Sequence, residues 1–148
     1  MKESVREPQR LCTQELLLLL ERAEELPPML EELAPQLDAP PFPICLARLL
    51  EQRSMSAARM GELALLSRSF AYQLCSGVRA PGRDIVLRLA LVLALTPEET
   101  QRLLRAAQRG ALYPRVRRDA AVIFCLNRGL SLLEADDLLR SLGEDPLV

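Results

Sequence analysis

The stretch that decides the fold is Ser56-Ala57-Ala58-Arg59-Met60-Gly61-Glu62-Leu63-Ala64-Leu65-Leu66-Ser67-Arg68-Ser69-Phe70-Ala71-Tyr72-Gln73-Leu74-Cys75-Ser76. Ser56 and Ser67 are N-cap residues, each placed to accept from a backbone N–H of a helix that it opens. They divide the stretch into two short helices, 57–64 and 68–76, joined by a tight turn. Gly61 supplies the small residue where two such helices cross. Met60, Ala64, Leu66, Ala71 and Leu74 are spaced to face inward, which leaves Arg68, Ser69, Tyr72, Gln73 and Ser76 toward solvent. That outward set has the chemistry a DNA duplex presents to a protein. Arg is bidentate to guanine, Gln is bidentate to adenine, and Ser and Tyr hold phosphates. Arg79 and Arg83 follow at once, within reach of a backbone beside the second helix. Taken singly, each of these polar residues reads more plainly as a solvated helix face; together, in a basic segment, they point to DNA.

Outward from this pair the chain keeps to short helices. A helix is expected over 44–53, with Leu46, Leu49 and Leu50 on one side. Gly77 stops the second helix of the pair, and Ala80-Pro81-Gly82 makes a turn. A strongly apolar helix over 83–94 suits the middle of a bundle. Thr96-Pro97-Glu98-Glu99 is a capping box with Pro in the first turn, opening a helix that runs toward Gly110. A further helix is expected over 115–128 after Pro114, with Gly129 as its stop. Ser131-Leu132-Leu133-Glu134 is a second capping box, and the last helix ends at Leu142-Gly143. No strand-period alternation appears. The expected fold class is all-α: a compact bundle of short helices around the helix-turn-helix, with an N-terminal helical arm and a C-terminal helical hairpin.

The stretch from Leu46 to Leu95 resembles the Cro and lambda-repressor-like, or XRE-type, helix-turn-helix regulators. Ser56 to Ser67 is similar to that family's Ser-x-x-x-Leu-Ala-x-x-x-Gly-Val-Ser run. Ser76-Gly77-Val78-Arg79-Ala80-Pro81 is similar to its x-Gly-x-Arg-x-Pro, and Leu89-Ala90 to Leu95 to its closing helix. The resemblance implies a sequence-specific, repressor-like transcriptional regulator that acts as a dimer and docks its second helix in the major groove. By it Arg68, Ser69, Tyr72 and Gln73 are base-reading candidates, and the Ala57 backbone, Arg79 and Arg83 are phosphate contacts. Leu65 stands where the family usually has a left-handed Gly, at a cost of roughly 1 kcal/mol. Gly61 stands where it usually has Ala, at about 0.5–1 kcal/mol.

Composition sets the limits. The 148 residues suit one compact domain, or a small domain with an appendage, and include 33 Leu, 18 Arg, one Lys and no His or Trp. Without His, the usual general base and most zinc and iron sites are missing. Asp136-Asp137, adjacent on a helix, point in different directions and read as a solvated face. No catalytic activity, cofactor or metal is expected. The four cysteines, Cys12, Cys45, Cys75 and Cys125, form no CxxC pair and read as free, mostly buried thiols. No apolar run is long enough to cross a membrane and no signal peptide precedes the fold, so a cytoplasmic protein is expected.

The formal net charge of −1 hides a division. Residues 1–42 carry a net charge of −5, residues 43–110 of +5 and residues 111–148 of −1. These segments are expected to be an acidic leucine-rich arm with a Pro-rich linker, the helix-turn-helix domain, and a C-terminal hairpin for packing or dimerisation. In the arm, Leu16, Leu19, Ala23, Leu26, Leu30, Leu33 and Leu37 form a heptad stripe interrupted by Pro27, Pro28 and Pro35, which fits two short helices. It reads as a dimerisation or protein-partner arm, or as a segment folded on its own body. In the hairpin, Arg115, Arg117 and Arg118 form a basic cluster. Ala121, Val122, Phe124, Cys125, Leu133, Leu138 and Leu139 supply more apolar surface than a lone helix pair buries. The expected partners are double-stranded DNA and a second copy of the chain. The rival expectation is a helix-turn-helix fold turned protein-interaction adaptor, without DNA binding.

Overall fold

The computed structural model describes residues 13–22 and 40–148, and among these every regular element is an α-helix. The chain divides into residues 1–39 and residues 40–148. From the first unit the structure describes α1, Thr13–Arg22, in which no residue is buried and Leu17 is 62% exposed. The rest of the leucine stripe, its prolines and Cys12 lie outside the described residues.

The second unit holds α2 (Phe42–Gln52), α3 (Ala57–Leu63), α4 (Arg68–Ser76), α5 (Arg83–Val92), α6 (Pro97–Ala106), α7 (Arg117–Arg128) and α8 (Leu132–Ser141). Helix α5 runs through the middle, packed against α3, α6, α7 and α8, and buries Val86, Leu87, Leu89, Ala90 and Leu91. Its apolar sequence leaves it no face that tolerates water. Leu46 of α2, Met60 of α3, Leu74 of α4, Leu103 and Leu104 of α6, Val122 of α7 and Leu139 of α8 close the same core. The hairpin expected at 111–148 therefore shares one core with the 43–110 segment. Its Ala121, Val122, Cys125 and Leu139 are buried there, while Phe124 and Leu133 stay exposed.

One three-residue connector joins four of the helix pairs. It is a residue at positive φ, then an apolar residue turned to the core, then a Ser or Thr cap. Ser54-Met55-Ser56 precedes α3, Leu65-Leu66-Ser67 precedes α4, Ala94-Leu95-Thr96 precedes α6, and Gly129-Leu130-Ser131 precedes α8. Each closes the helix before it with a pair of Schellman bonds: at Leu65, Leu66 N–H donates to Gly61 O at 2.8 Å and Leu65 N–H to Glu62 O at 3.3 Å. The expected capping boxes at Thr96 and Ser131 are both formed.

Several helix bounds differ from those expected. Helix α2 begins at Phe42, inside the proline run, because Pro43 falls in the first turn, where its missing N–H has no intrahelical partner to lose. Helix α3 ends at Leu63, with Ala64 as its cap. Helix α5 ends at Val92 and α6 at Ala106, each two or more residues early, because Ala94 and Gln108 take the left-handed conformation without being glycine. Helix α7 begins at Arg117, since Tyr113–Val116 forms a turn in which Val116 N–H donates to Tyr113 O at 2.9 Å.

Asp136 corrects the reading of the Asp136-Asp137 pair as a solvated face. It is buried, and its carboxylate accepts from Leu147 N–H at 2.7 Å and Val148 N–H at 3.1 Å. Arg88 Nε donates to Leu147 O at 2.6 Å and Arg118 Nε to Asp145 O at 2.9 Å, so the last residues are tied to α5, α7 and α8. Asp137, one position on, is exposed. Cys45, Cys75 and Cys125 are unpaired thiols, and burial pushes those of Cys75 and Cys125 up, away from the reactive thiolate. Among the described residues no helix is long and apolar enough to cross a membrane.

Candidate nucleic-acid interface

The crossing of α3 and α4 fixes where the polar side chains go. A Cβ on Gly61 would stand 2.6 Å from the Ala71 Cβ, a distance at which something must shift. Gly61 and Ala71 thus let the two helices touch almost backbone to backbone, which accounts for glycine at a helix-interior position. Met60, Ala64, Ala71 and Leu74 are fully buried beneath that contact, and Leu66 is half-buried against the core. Ser56 and Ser67 cap as expected, accepting from Arg59 N–H and Phe70 N–H at 3.1 Å each. Gly77, at φ +82°, ends α4 close to Pro43, whose Cγ a Cβ at Gly77 would approach to 3.1 Å.

The solvent side of α4 carries Arg68, Ser69 and Tyr72, all exposed, and Gln73, half-buried. Arg68 lies over the Tyr72 ring, its guanidinium carbon 5.8 Å from the centroid. On the other flank Ser69 and Gln73 line a shallow groove of about 450 Å³ together with Ser67, Phe70 and Arg79. Arg79 is held there in two ways. Its N–H donates to Gln73 O at 3.2 Å, and its guanidinium sits 5.9 Å from the Phe70 ring centroid. Phe70, whose role the sequence reading passed over, is half-buried and forms the floor on which Arg79 rests. Its position on α4 between the outward Ser69 and the inward Ala71 gave no sign of this, because the partner arrives from the following loop.

No carboxylate lines this groove. The adjoining groove of about 390 Å³, lined by Ala58, Glu62, Leu66 and Arg68, contains Glu62, whose carboxylate is paired with Arg59 at 3.1 Å. Ala57 is half-buried at the start of α3, one residue after the Ser56 cap. The surface is partly apolar as well: Leu65 is 52% exposed on the turn, and Val78 is 75% exposed beyond α4.

Arg83 is not part of this exposed set. It is half-buried and committed to the body of the fold. Nη1 and Nη2 donate to the two oxygens of Asp119 at 3.0 and 2.9 Å, Nε donates to Gly110 O at 3.0 Å, and Nη2 also to Ala111 O at 3.0 Å. Arg83, expected at a phosphate, is here a clamp between the start of α5 and the segment after α6. The reason lies 36 positions away in the sequence, at Asp119, whose carboxylate also takes Tyr113 N–H at 2.9 Å. Burial raises the Asp119 carboxyl, but the Arg83 and Tyr113 hydrogen bonds and the charges of Arg83 and Arg118 outweigh it and hold the group below the ordinary aspartate range. Two arginines of the hairpin's basic cluster are likewise engaged, while Arg115 is exposed. Arg118 is bidentate to Asp84 at 2.9 and 3.1 Å, and Arg117 donates to Leu142 O at 3.0 Å and pairs with Glu144 at 3.7 Å. Among the described residues no group of His, Cys, Asp or Glu is arranged to hold a metal ion.

No protein-family model, curated protein or solved structure matches the chain.

Proposed function

We propose that this protein is a sequence-specific DNA-binding regulator, repressor-like and dimeric, in which α4 lies in the major groove of a duplex. The observation that carries the reading is the α4 surface itself. Arg68, Ser69, Tyr72 and Arg79 are exposed, with half-buried Gln73 beside them and no unpaired carboxylate among them. Arg68 and Gln73 have the donor and acceptor patterns for base edges, and Arg79 stands at the C-terminal end of α4, where a groove-bound helix passes the phosphate backbone. The four-residue link from Ala64 to Ser67 and the close packing of Gly61 on Ala71 hold α3 behind α4 as a rigid support. The resemblance to the XRE-type regulators points the same way.

The test is a base-by-base comparison on a duplex selected from a random pool. Gln73→Ala relaxes preference at one base pair by about 1–3 kcal/mol, leaving the remaining positions as selective as before. A uniform loss on every duplex contradicts the placement of α4.

A second reading, a protein-interaction adaptor on the same fold, is favoured by exposed Leu65 and Val78, which flank the polar face with apolar surface. On that reading a charged substitution at either position abolishes partner binding, and no duplex binds.

A further inference from the structure

The candidates taken from the sequence run no further than Arg83, but a further cation, 26 residues downstream, reaches the backbone beside Arg79. Arg109 is exposed, and its Nε donates to Pro81 O at 3.0 Å. Pro81 is two residues beyond Arg79, so the backbone it belongs to lies within about 7 Å of the Arg79 backbone. This is the single hydrogen bond that the Arg109 side chain makes among the described residues. The two amino groups of its guanidinium have no partner there.

Arg109 is also built into place from both sides. Before it, Gln108 at φ +56° turns the chain out of α6, and Arg109 N–H closes that turn on Leu104 O at 2.9 Å. After it, Arg83 grips the Gly110 and Ala111 carbonyls at 3.0 Å each. The acids nearby are neutralised: Asp119 by Arg83 at 2.9 Å and Asp84 by Arg118 at 2.9 Å. A guanidinium anchored through Nε, with its amino groups open and no free carboxylate beside it, is the arrangement that takes a phosphate in bidentate fashion.

Resting on the duplex-binding reading above, we infer that Arg109 contacts a backbone phosphate of the bound duplex next to the one met by Arg79. Arg83 is the positioning residue that holds the Arg109 segment against the start of α5. The segment after α6 thereby becomes part of the interface, and the clamp explains why an arginine at the edge of a basic face is turned inward.

The experiment is a salt titration of duplex binding by the full chain and by three variants with the same loss of charge or the same retained charge. Each phosphate contact adds about 0.9 to the slope of log affinity against log salt. Arg109→Gln is expected to lower the slope by about 0.9, so that the affinity lost between 50 and 200 mM salt shrinks by about 3.5-fold, equally on all sequences. Arg109→Lys keeps the slope. Arg140→Gln, an exposed arginine on α8, leaves it unchanged. Thermal melting of each variant in parallel checks that the folded fraction is the same. Wild-type binding with an unaltered slope in Arg109→Gln overturns this inference alone, as does an equal fall in Arg140→Gln, which marks a mere effect of net charge. Absence of salt-sensitive binding by the wild-type chain removes the duplex reading and this inference with it.

Discussion

Two helix pairs in this chain, α3–α4 and α7–α8, are joined by the same connector: a left-handed residue, a leucine turned to the core, and a serine that caps the next helix. The second helices differ in what they show to solvent. Helix α4 presents Arg68, Ser69 and Tyr72, with Gln73 beside them. Helix α8 presents Leu133, Glu134, Asp137 and Arg140, and the nearby Arg117 and Arg118 are tied to the tail and to Asp84. A shared backbone unit is therefore no sign of a shared role. What separates the pairs is the company their exposed cations keep: no carboxylate lines the groove beside Arg79, whereas Arg140 shares the surface of α8 with exposed Glu134 and Asp137, and Arg117 and Arg118 are already matched. A duplex, dense in phosphate, is repelled by exposed Glu134 and Asp137 and attracted by Arg68 and Arg79.

The largest effect that tests this division concerns a matched cation. Arg83→Ala leaves Asp119 buried beside a vacated partner, and truncating one member of such a pair costs about 3 kcal/mol of stability. If Arg83 were a free surface cation, chemical denaturation would show a change within about 0.5 kcal/mol. The same pair has a pH signature. The folded-state carboxyl of Asp119 titrates below its unfolded value, so its contribution is complete above about pH 4 and is lost as pH falls through the folded value. Asp119→Asn should lower stability at neutral pH and flatten the acid limb of a melting curve series; an unchanged acid limb would break the account of the clamp.

The crossing at α3–α4 comes next. Gly61→Ala places a methyl against the Ala71 Cβ. The overpacking cost exceeds the gain in helix propensity, for a net loss of about 1–2 kcal/mol. The compensating Gly61→Ala, Ala71→Gly double variant restores the contact and recovers much of that loss. A Gly61→Ala protein as stable as the wild type would show that the helices do not meet this closely.

The smallest effect is at the connector itself. Leu65, at φ +59°, is strained where Gly129 in the matching position is not, so Leu65→Gly stabilises by up to ~1 kcal/mol. It also separates the two functional readings. Duplex binding is unchanged by it, whereas an adaptor that grips its partner through the exposed Leu65 side chain loses that partner.

The helices of residues 40–148, their caps and the inward faces were legible in the sequence because they depend on neighbours a few residues apart. Ser56, Ser67, Thr96 and Ser131 announce their helices, and Met60, Ala64, Ala71 and Leu74 are spaced as a buried face must be. Helix ends were legible where glycine marked them, at Gly77, Gly129 and Gly143. They were hidden where Ala94 and Gln108 took the same left-handed conformation, because buried Leu95 holds the first and the hydrogen bond from Arg109 N–H to Leu104 O closes the second. The candidate face followed the same rule. Arg68, Ser69, Tyr72, Gln73 and Arg79 were found from local spacing. The removal of Arg83 from that set, the seat of Arg79 on Phe70 and the arrival of Arg109 all depend on tertiary partners, and so does the burial of Asp136 beneath the last residues.

The near-zero net charge, read as one number, gives no hint of a basic face; the free and matched arginines divide it. The most direct measurement is the affinity of the full chain for a pool of random duplexes, titrated from low to physiological salt. The account predicts log affinity falling linearly with log salt, by a slope of about 0.9 for every phosphate contacted. It further predicts that Arg68→Ala and Arg79→Ala weaken binding, while a charge reversal at Asp137 on α8 does not strengthen it specifically for any sequence. Purified, folded protein that binds no duplex in a salt-sensitive way would contradict the central claim that the α4 face reads DNA.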